Sequence, residues 1–232
     1  MPTSSKIPSI STYQFPRRAN YLLPACVIVA IGLGTYLPTI MLLGFSPRTK
    51  DVGYRPQQPV PFDHALHAGA LGMDCRYCHS TVEHAAFAAV PPTQTCMGCH
   101  STIKPDSPLL KPVRESFADD RPLAWRKVHD LPDFAHFDHA VHVAKGVGCS
   151  TCHGAVNEMT QVFQAEALSM AWCLDCHRAP ERHLRPRDQV TNPRFDAQRD
   201  TGMSQRALGE RLRAEYGIAN QAFMTSCSTC HR

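Results

Sequence analysis

The sequence predicts a mainly α-helical fold with extensive loops and one transmembrane helix near the N-terminus. Three observations predict it. Residues 21–44 contain no charged side chain in 24 positions. The remainder has few sustained apolar periodicities and holds most of the 19 prolines and 13 glycines, so it is a poor builder of an ordinary core. Ten of the 11 cysteines fall into five C-x-x-C pairs, each followed at once by histidine.

The apolar run comes first in the chain. YLLPACVIVAIGLGTYLPTIMLLG is long enough to cross a bilayer as a helix. Pro24 and Pro38 are expected near its ends, where proline costs least. A cleaved signal peptide would have a shorter apolar core and a small-x-small site just after it. LPAC at 23–26 is similar to a lipoprotein cleavage site, but only three apolar residues precede Cys26, so lipidation is rejected. The expectation is a retained anchor. The flanks carry Lys6, Arg17 and Arg18 on one side and Arg48, Lys50 and Arg55 on the other, so charge does not orient it.

The cysteine pairs are Cys75/Cys78, Cys96/Cys99, Cys149/Cys152, Cys173/Cys176 and Cys227/Cys230, followed by His79, His100, His153, His177 and His231. C-x-x-C-H is the attachment pattern of c-type haem. The two thiols add across the porphyrin vinyl groups, and the adjacent histidine becomes the proximal ligand of the iron. Structural zinc commonly takes four ligands from two C-x-x-C pairs. Five pairs do not divide that way, and zinc gives no reason for a histidine after each one. A thioredoxin-like site needs one motif near a βαβ pattern, and a disulfide framework needs no histidines. The expected cofactor set is five covalently bound haem c groups, which would supply much of the missing core.

Haem attachment is completed, in bacteria, on the outer face of the inner membrane. This places residues 1–20 in the cytoplasm and the haem-bearing part in the periplasm. The formal charge of +4 is offset by the haem propionates, so it says little about partners. No nucleic-acid partner is expected.

An internal repeat organises the rest. Phe62-Asp63-His64-Ala65-Leu66-His67 precedes the first motif, and Phe137-Asp138-His139-Ala140-Val141-His142 precedes the third. The offset is 75 residues for the histidines (139 − 64, 142 − 67) and 74 for the cysteines (149 − 75). The predicted organisation is a cytoplasmic N-terminus at 1–20, an anchor at 21–44 and a linker at 45–61. A first two-haem module follows at 62–136, a second at 137–180, and an Arg-rich arm with the fifth haem at 181–232. Nine arginines fall within 178–213, read as either a solvated face or a docking arm. Within it, Ser204 to Tyr216 predicts a short helix capped by Ser204, with Leu208 and Leu212 on one face and Gly217 as its stop.

A haem that only transfers electrons usually has both axial positions filled. His64, His67, His139 and His142 are the candidate distal ligands, because each x-His-x-x-His block sits just before a haem motif. At i and i+3 on a helix, two imidazoles lie on one side and can serve two irons. His129 is the fifth candidate. His84, His136 and His183 fall outside such patterns and read as surface or supporting residues. Met159 and Met170 are rival ligands. No catalytic residue is expected beyond the haem ligands.

The F-x-H-x-x-H block before C-x-x-C-H resembles the class III multihaem cytochromes of the c3 and c7 type. The longer stretches GYRPQQPVPFDHALHAGALGMDCRYCH, PPTQTCMGCH, WRKVHDLPDFAHFDHAVHV, SMAWCLDCHRAPE and CSTCHR resemble the pentahaem subunit of bacterial alternative complex III. That resemblance implies c3/c7-like duplicated two-haem modules and mostly bis-histidine ligation. By analogy, His64 would pair with the haem of His79, and His139 with that of His153. It also implies a non-catalytic electron-transfer subunit of a quinol oxidoreductase. Its partners would be polytopic quinol-binding subunits, an iron–sulfur subunit and a monohaem cytochrome c. Alternatives are the cytochrome subunit of another quinone-linked respiratory oxidoreductase, a stand-alone quinol dehydrogenase, and a catalytic multihaem enzyme.

Overall fold

The computed structural model describes residues 16–44, 46 and 50–231. Most of the expected cytoplasmic segment, residues 1–15, lies outside the described residues, as do 45 and 47–49 of the expected linker. The chain divides after residue 49 into two units.

In the first unit a short 3₁₀ turn, Arg17–Tyr21, runs into helix α1, Leu22–Gly44. None of its residues is buried, and its mean hydropathy reaches 2.1. At 1.5 Å per residue, 23 residues span about 35 Å, enough for a hydrocarbon layer of about 30 Å. By length and composition α1 can cross a membrane. Pro38 lies inside the helix rather than at its end, which differs from the expected placement. Around it, Thr35 Oγ1 donates to the Ile31 carbonyl at 2.9 Å and Thr39 Oγ1 to the Thr35 carbonyl at 2.7 Å. Hydroxyls returned to the helix in this way are how apolar spans tolerate proline.

The second unit is helical and loop-rich. Among the described residues β-pairing is confined to an isolated antiparallel bridge between Val147 and Leu184. Its helices are α2 (Cys75–Cys78), α3 (Thr93–His100), α4 (Lys111–Ala118), α5 (His139–Ala144), α6 (Cys149–His153), α7 (Met170–Arg178), α8 (Ala197–Thr201), α9 (Gln205–Glu215), α10 (Gln221–Met224) and α11 (Cys227–Cys230). Side-chain caps explain several starts. Asp74 accepts from the Arg76 amide at 2.8 Å, and Asn220 from the Phe223 amide at 2.9 Å.

The region 178–226 adds to what was expected of it. Most of its arginines are exposed, as on a solvated face, yet it also packs inward. It contains most of the molecule's apolar cluster: Leu184, Ala197, Leu208, Leu212 and Tyr216, with Val147, Phe195, Met203 and Ile218 packed against it. Helix α9 forms as its pattern predicts. Ser204 Oγ accepts from the Ala207 amide at 3.3 Å, Leu208 and Leu212 are buried, and Gly217 turns the chain at φ +57°. Two of the arginines lie along this cluster by their flat faces. Arg187 stacks over Tyr216 at 4.1 Å and Arg185 over Phe195 at 5.4 Å. Gly209 lets α9 touch the Pro180–Arg182 turn, since a Cβ there would run into the Glu181 carbonyl.

Five attachment turns and their histidine partners

Each C-x-x-C pair forms part of a helical turn. Residues three apart on a helix share a face, so both thiols point the same way and the following histidine closes the turn. The His79 amide donates to the Cys75 carbonyl at 2.9 Å, and the His231 amide to the Cys227 carbonyl at 2.9 Å. None of the ten motif cysteines forms a disulfide, nor does Cys26 in α1.

The two F-D-H-A-x-H blocks are built alike. Asp63 Oδ1 accepts from the Leu66 amide at 3.0 Å, and Asp138 Oδ1 from the Val141 amide at 3.4 Å. His67 Nδ1 donates to the Asp63 carbonyl at 2.8 Å, and His142 Nδ1 to the Asp138 carbonyl at 2.7 Å. Phe62 stacks on His67 at 4.4 Å and meets His64 edge-on at 4.7 Å. Phe137 stacks on His142 at 4.5 Å and meets His139 edge-on at 4.8 Å. One phenyl ring thus holds two imidazoles at a fixed angle.

Four of the proximal candidates are oriented in the same way. His79 Nδ1 meets the Ala89 carbonyl at 2.9 Å, His100 the Ile103 carbonyl at 2.9 Å, His177 the Met224 carbonyl at 2.8 Å and His231 the Phe134 carbonyl at 3.0 Å. His139 Nδ1 meets the Ala86 carbonyl at 2.8 Å. A carbonyl accepts only, so these rings carry their proton on Nδ1 and leave Nε2 as a free lone pair. That is the tautomer and support a metal-ligating imidazole needs. Sequence reasoning missed these acceptors because they are backbone groups of ordinary residues.

Three pairs of rings stand opposite each other. His67 and His100 are 6.2 Å apart between centroids, His139 and His153 6.3 Å, and His142 and His177 6.3 Å. A metal binds imidazole nitrogen at about 2 Å, and the ring centre lies about 1 Å behind it, so two rings sharing one metal stand roughly 6 Å apart. The residues therefore fit a haem iron between each pair. Among the described residues no group of three or more His, Cys, Asp or Glu side chains can hold a metal ion. A two-imidazole site needs a group that brings the remaining donors, as a porphyrin does.

Burial also governs the charge of His64, His129 and His153. Burial, then His79 and His67, lowers His64 to about 4, and burial, then His129, His139 and His79, lowers His153 to about 3. Burial, then His139, lowers His129. Each is held as neutral imidazole, the form that binds iron. His64 Nδ1 and His129 Nε2 are buried without a partner. His129 does not stand at the iron-sharing separation from His153: its ring lies edge-on, at 4.4 Å. Met159 is buried beside Gly154, and Met170 is 60% exposed at the start of α7. His84 and His136 are exposed, and the His136 amide donates to the Cys230 carbonyl at 2.8 Å.

The first and third motifs also meet the same stretch of chain. Their backbones converge on one turn, with Cys75 Sγ 3.9 Å from the Thr191 carbonyl and the Cys149 amide donating to the Val190 carbonyl at 2.9 Å.

No protein-family model matches the chain. It is similar to the multiheme cytochrome c subunit of menaquinone reductase from Nitratidesulfovibrio vulgaris. Identity is 30% over 150 residues, covering 55% of this chain and 70% of that subunit. The relative's name and the five attachment turns agree on covalently bound haem c and an electron-transfer role. The chain belongs to the multihaem cytochrome c family that includes this subunit of a quinone-linked membrane complex.

Proposed function

We propose that this chain is the electron-relay subunit of a quinone-linked membrane oxidoreductase, with five haems on its ten motif cysteines. The observation that carries the reading is the set of three opposed imidazole pairs at 6.2–6.3 Å, in which His67, His100, His139, His142 and His177 have Nδ1 tied to a carbonyl. Haem supplies reversible one-electron storage there. The chain's own residues fill both axial positions, fix the tautomer and leave no coordination site for a substrate at those three centres. His64 opposite His79 would make a fourth such centre, and its neutral, unpartnered ring suits that role. His129 is the remaining candidate for a distal position. The matching blocks are read as c3/c7-like duplicated two-haem modules, 62–136 and 137–180.

Helix α1 would anchor the chain, with the haem-bearing unit on the periplasmic side, where C-x-x-C-H maturation takes place. The span offers no ionisable residue for a quinone head group, so quinone handling falls to polytopic partner subunits. The stretches around the motifs support membership of alternative complex III, with an iron–sulfur subunit and a monohaem cytochrome c as neighbours. In that complex electrons leave quinol. The name of the Nitratidesulfovibrio relative supports a second reading, in which electrons run toward menaquinone. Both give this chain the same task in opposite directions.

The test uses the purified complex. Menaquinol added to the oxidised complex should reduce the haems in the alternative complex III reading. Menaquinone added to the reduced complex should oxidise them in the other. If the isolated chain exchanged electrons with quinol as fast as the complex, and a quinone-site inhibitor still acted on it, the relay reading would fail.

A further inference from the structure

The five attachment sites do not follow one another in space as they do in sequence. Four junctions are visible. Between the first and second sites, His64 and His67 sit at one turn of the Ala65–Ala70 helix, with His67 opposite His100 and His64 beside His79. Between the first and third, Cys75 Sγ and the Cys149 amide meet the adjacent Thr191 and Val190 carbonyls, and the loop after the first motif takes both His79 Nδ1 (Ala89 carbonyl) and His139 Nδ1 (Ala86 carbonyl). Between the third and fourth, His139 and His142 share α5 and face His153 and His177. Between the fourth and fifth, His177 Nδ1 meets the Met224 carbonyl, three residues before Cys227, and α7 packs on α10.

Exposure agrees independently. Of the ten motif cysteines only Cys99, in the second site, and Cys227, in the fifth, are exposed; the rest are partly covered.

We infer that the attachment sites form a line in the order second, first, third, fourth, fifth, so that electrons enter and leave the chain at Cys96–His100 and Cys227–His231. The order rests on the proposed five-haem relay and deepens it. Two redox partners then meet the chain at opposite ends of the line, and the first and third sites, which share the 190–191 turn, are its interior junction. A linear path explains why the blocks are interleaved: the α5 amides of His139 and Ala140 donate to the Ala86 and Ala85 carbonyls, at 3.2 Å each. The second block begins against the loop of the first site, bringing the third site beside the first and leaving the second at the end.

The experiment begins with the intact mass of the chain in its complex. Fewer than five haems would remove the relay reading itself, apart from any question of order. With five present, iron positions in a density map of the complex decide the order. The iron held by His79 is expected between those held by His100 and His153; an iron of His100 between those of His79 and His153 overturns the proposal. A functional arm uses a photosensitiser on Gln221→Cys, which delivers electrons beside the fifth site. Removing the second site (Cys96→Ala with Cys99→Ala) should leave fast reduction of the other four unchanged. Removing the first (Cys75→Ala with Cys78→Ala) should abolish fast reduction of the second alone. Loss of fast reduction at the first site in the former variant would contradict the order. If a variant does not assemble, the iron positions stand as the test.

Discussion

The two histidine blocks carry nearly the same six residues, yet one folds as an α-helix and the other does not. His139–Ala144 is α-helical, whereas Ala65–Ala70 is a π-helix. The cause is one residue. Eight positions separate His67 from Cys75, and seven separate His142 from Cys149. From the C-terminal end L-G-M-D-C matches K-G-V-G-C, with Gly72 and Gly146 both at positive φ (+66° and +78°), and from the N-terminal end H-A-G matches H-V-A, which leaves Ala70 as the extra residue. The Leu71 amide accordingly reaches back five residues to the Leu66 carbonyl at 2.9 Å. The returning amide differs in step: Val147 bonds the His142 carbonyl across five residues, Met73 the His67 carbonyl across six. A π-bulge absorbs a one-residue insertion without moving the side chains at either end. The lesson is that the site tolerates a change of helix type but keeps its ring separation, 6.2 Å in one block and 6.3 Å in the other, while the angle between the rings changes from 67° to 25°.

The largest expected effect comes from removing the ligands themselves. His67→Ala and His142→Ala should each convert one low-spin centre to high spin, seen by electron paramagnetic resonance of the oxidised complex. If either variant stayed wholly low-spin with unchanged potentials, the equivalence of the blocks would be broken.

Gly69 and Ala144 occupy matching positions but differ in what they can carry. A Cβ on Gly69 would run into the Asn157 carbonyl. Gly69→Ala should cost about 1–3 kcal/mol, as overpacking does, and broaden the signal of the His67–His100 centre. Ala144→Gly should cost only about 0.5–1 kcal/mol and leave the His142–His177 centre unchanged. Thermal denaturation with parallel spectra checks both.

Deleting Ala70 sharpens the insertion account. The first block should then close as an α-turn like α5, with all haems attached and the His67–His100 centre still low-spin. Loss of that centre would mean that the π-turn is required rather than tolerated. The smallest effect belongs to the caps. Asp63→Ala and Asp138→Ala should each cost about 0.5–2 kcal/mol, with Asp63 the larger, since its bond is 3.0 Å against 3.4 Å.

The attachment residues were legible in the sequence because C-x-x-C-H is covalent chemistry written in consecutive positions. The pairs His67/His100 and His142/His177 were not legible, since they join residues 33 and 35 apart (100 − 67, 177 − 142) through a fold that sequence spacing does not fix. The c3/c7 analogy would put His139 with the haem of His153, and the two rings stand 6.3 Å apart. The helix at Gln205–Glu215 was readable from its cap and its leucine spacing, but its burial was not. Its polarity suggested a solvated face or a docking arm, while Leu208 and Leu212 face inward and Arg187 and Arg185 lie over Tyr216 and Phe195. Short-range signals survive in a loop-rich chain; long-range pairings depend on the haems that the chain wraps.

The central claim is a relay of five covalently held haems, most of them held between two histidines. The most direct measurement is the intact mass of the chain from the purified complex, read with its oxidised low-temperature spectrum. The account predicts five haem additions, Cys26 unmodified, and low-spin signals from at least the His67–His100, His139–His153 and His142–His177 centres. Three or four haem additions, or high-spin iron at any of those three centres, would contradict it.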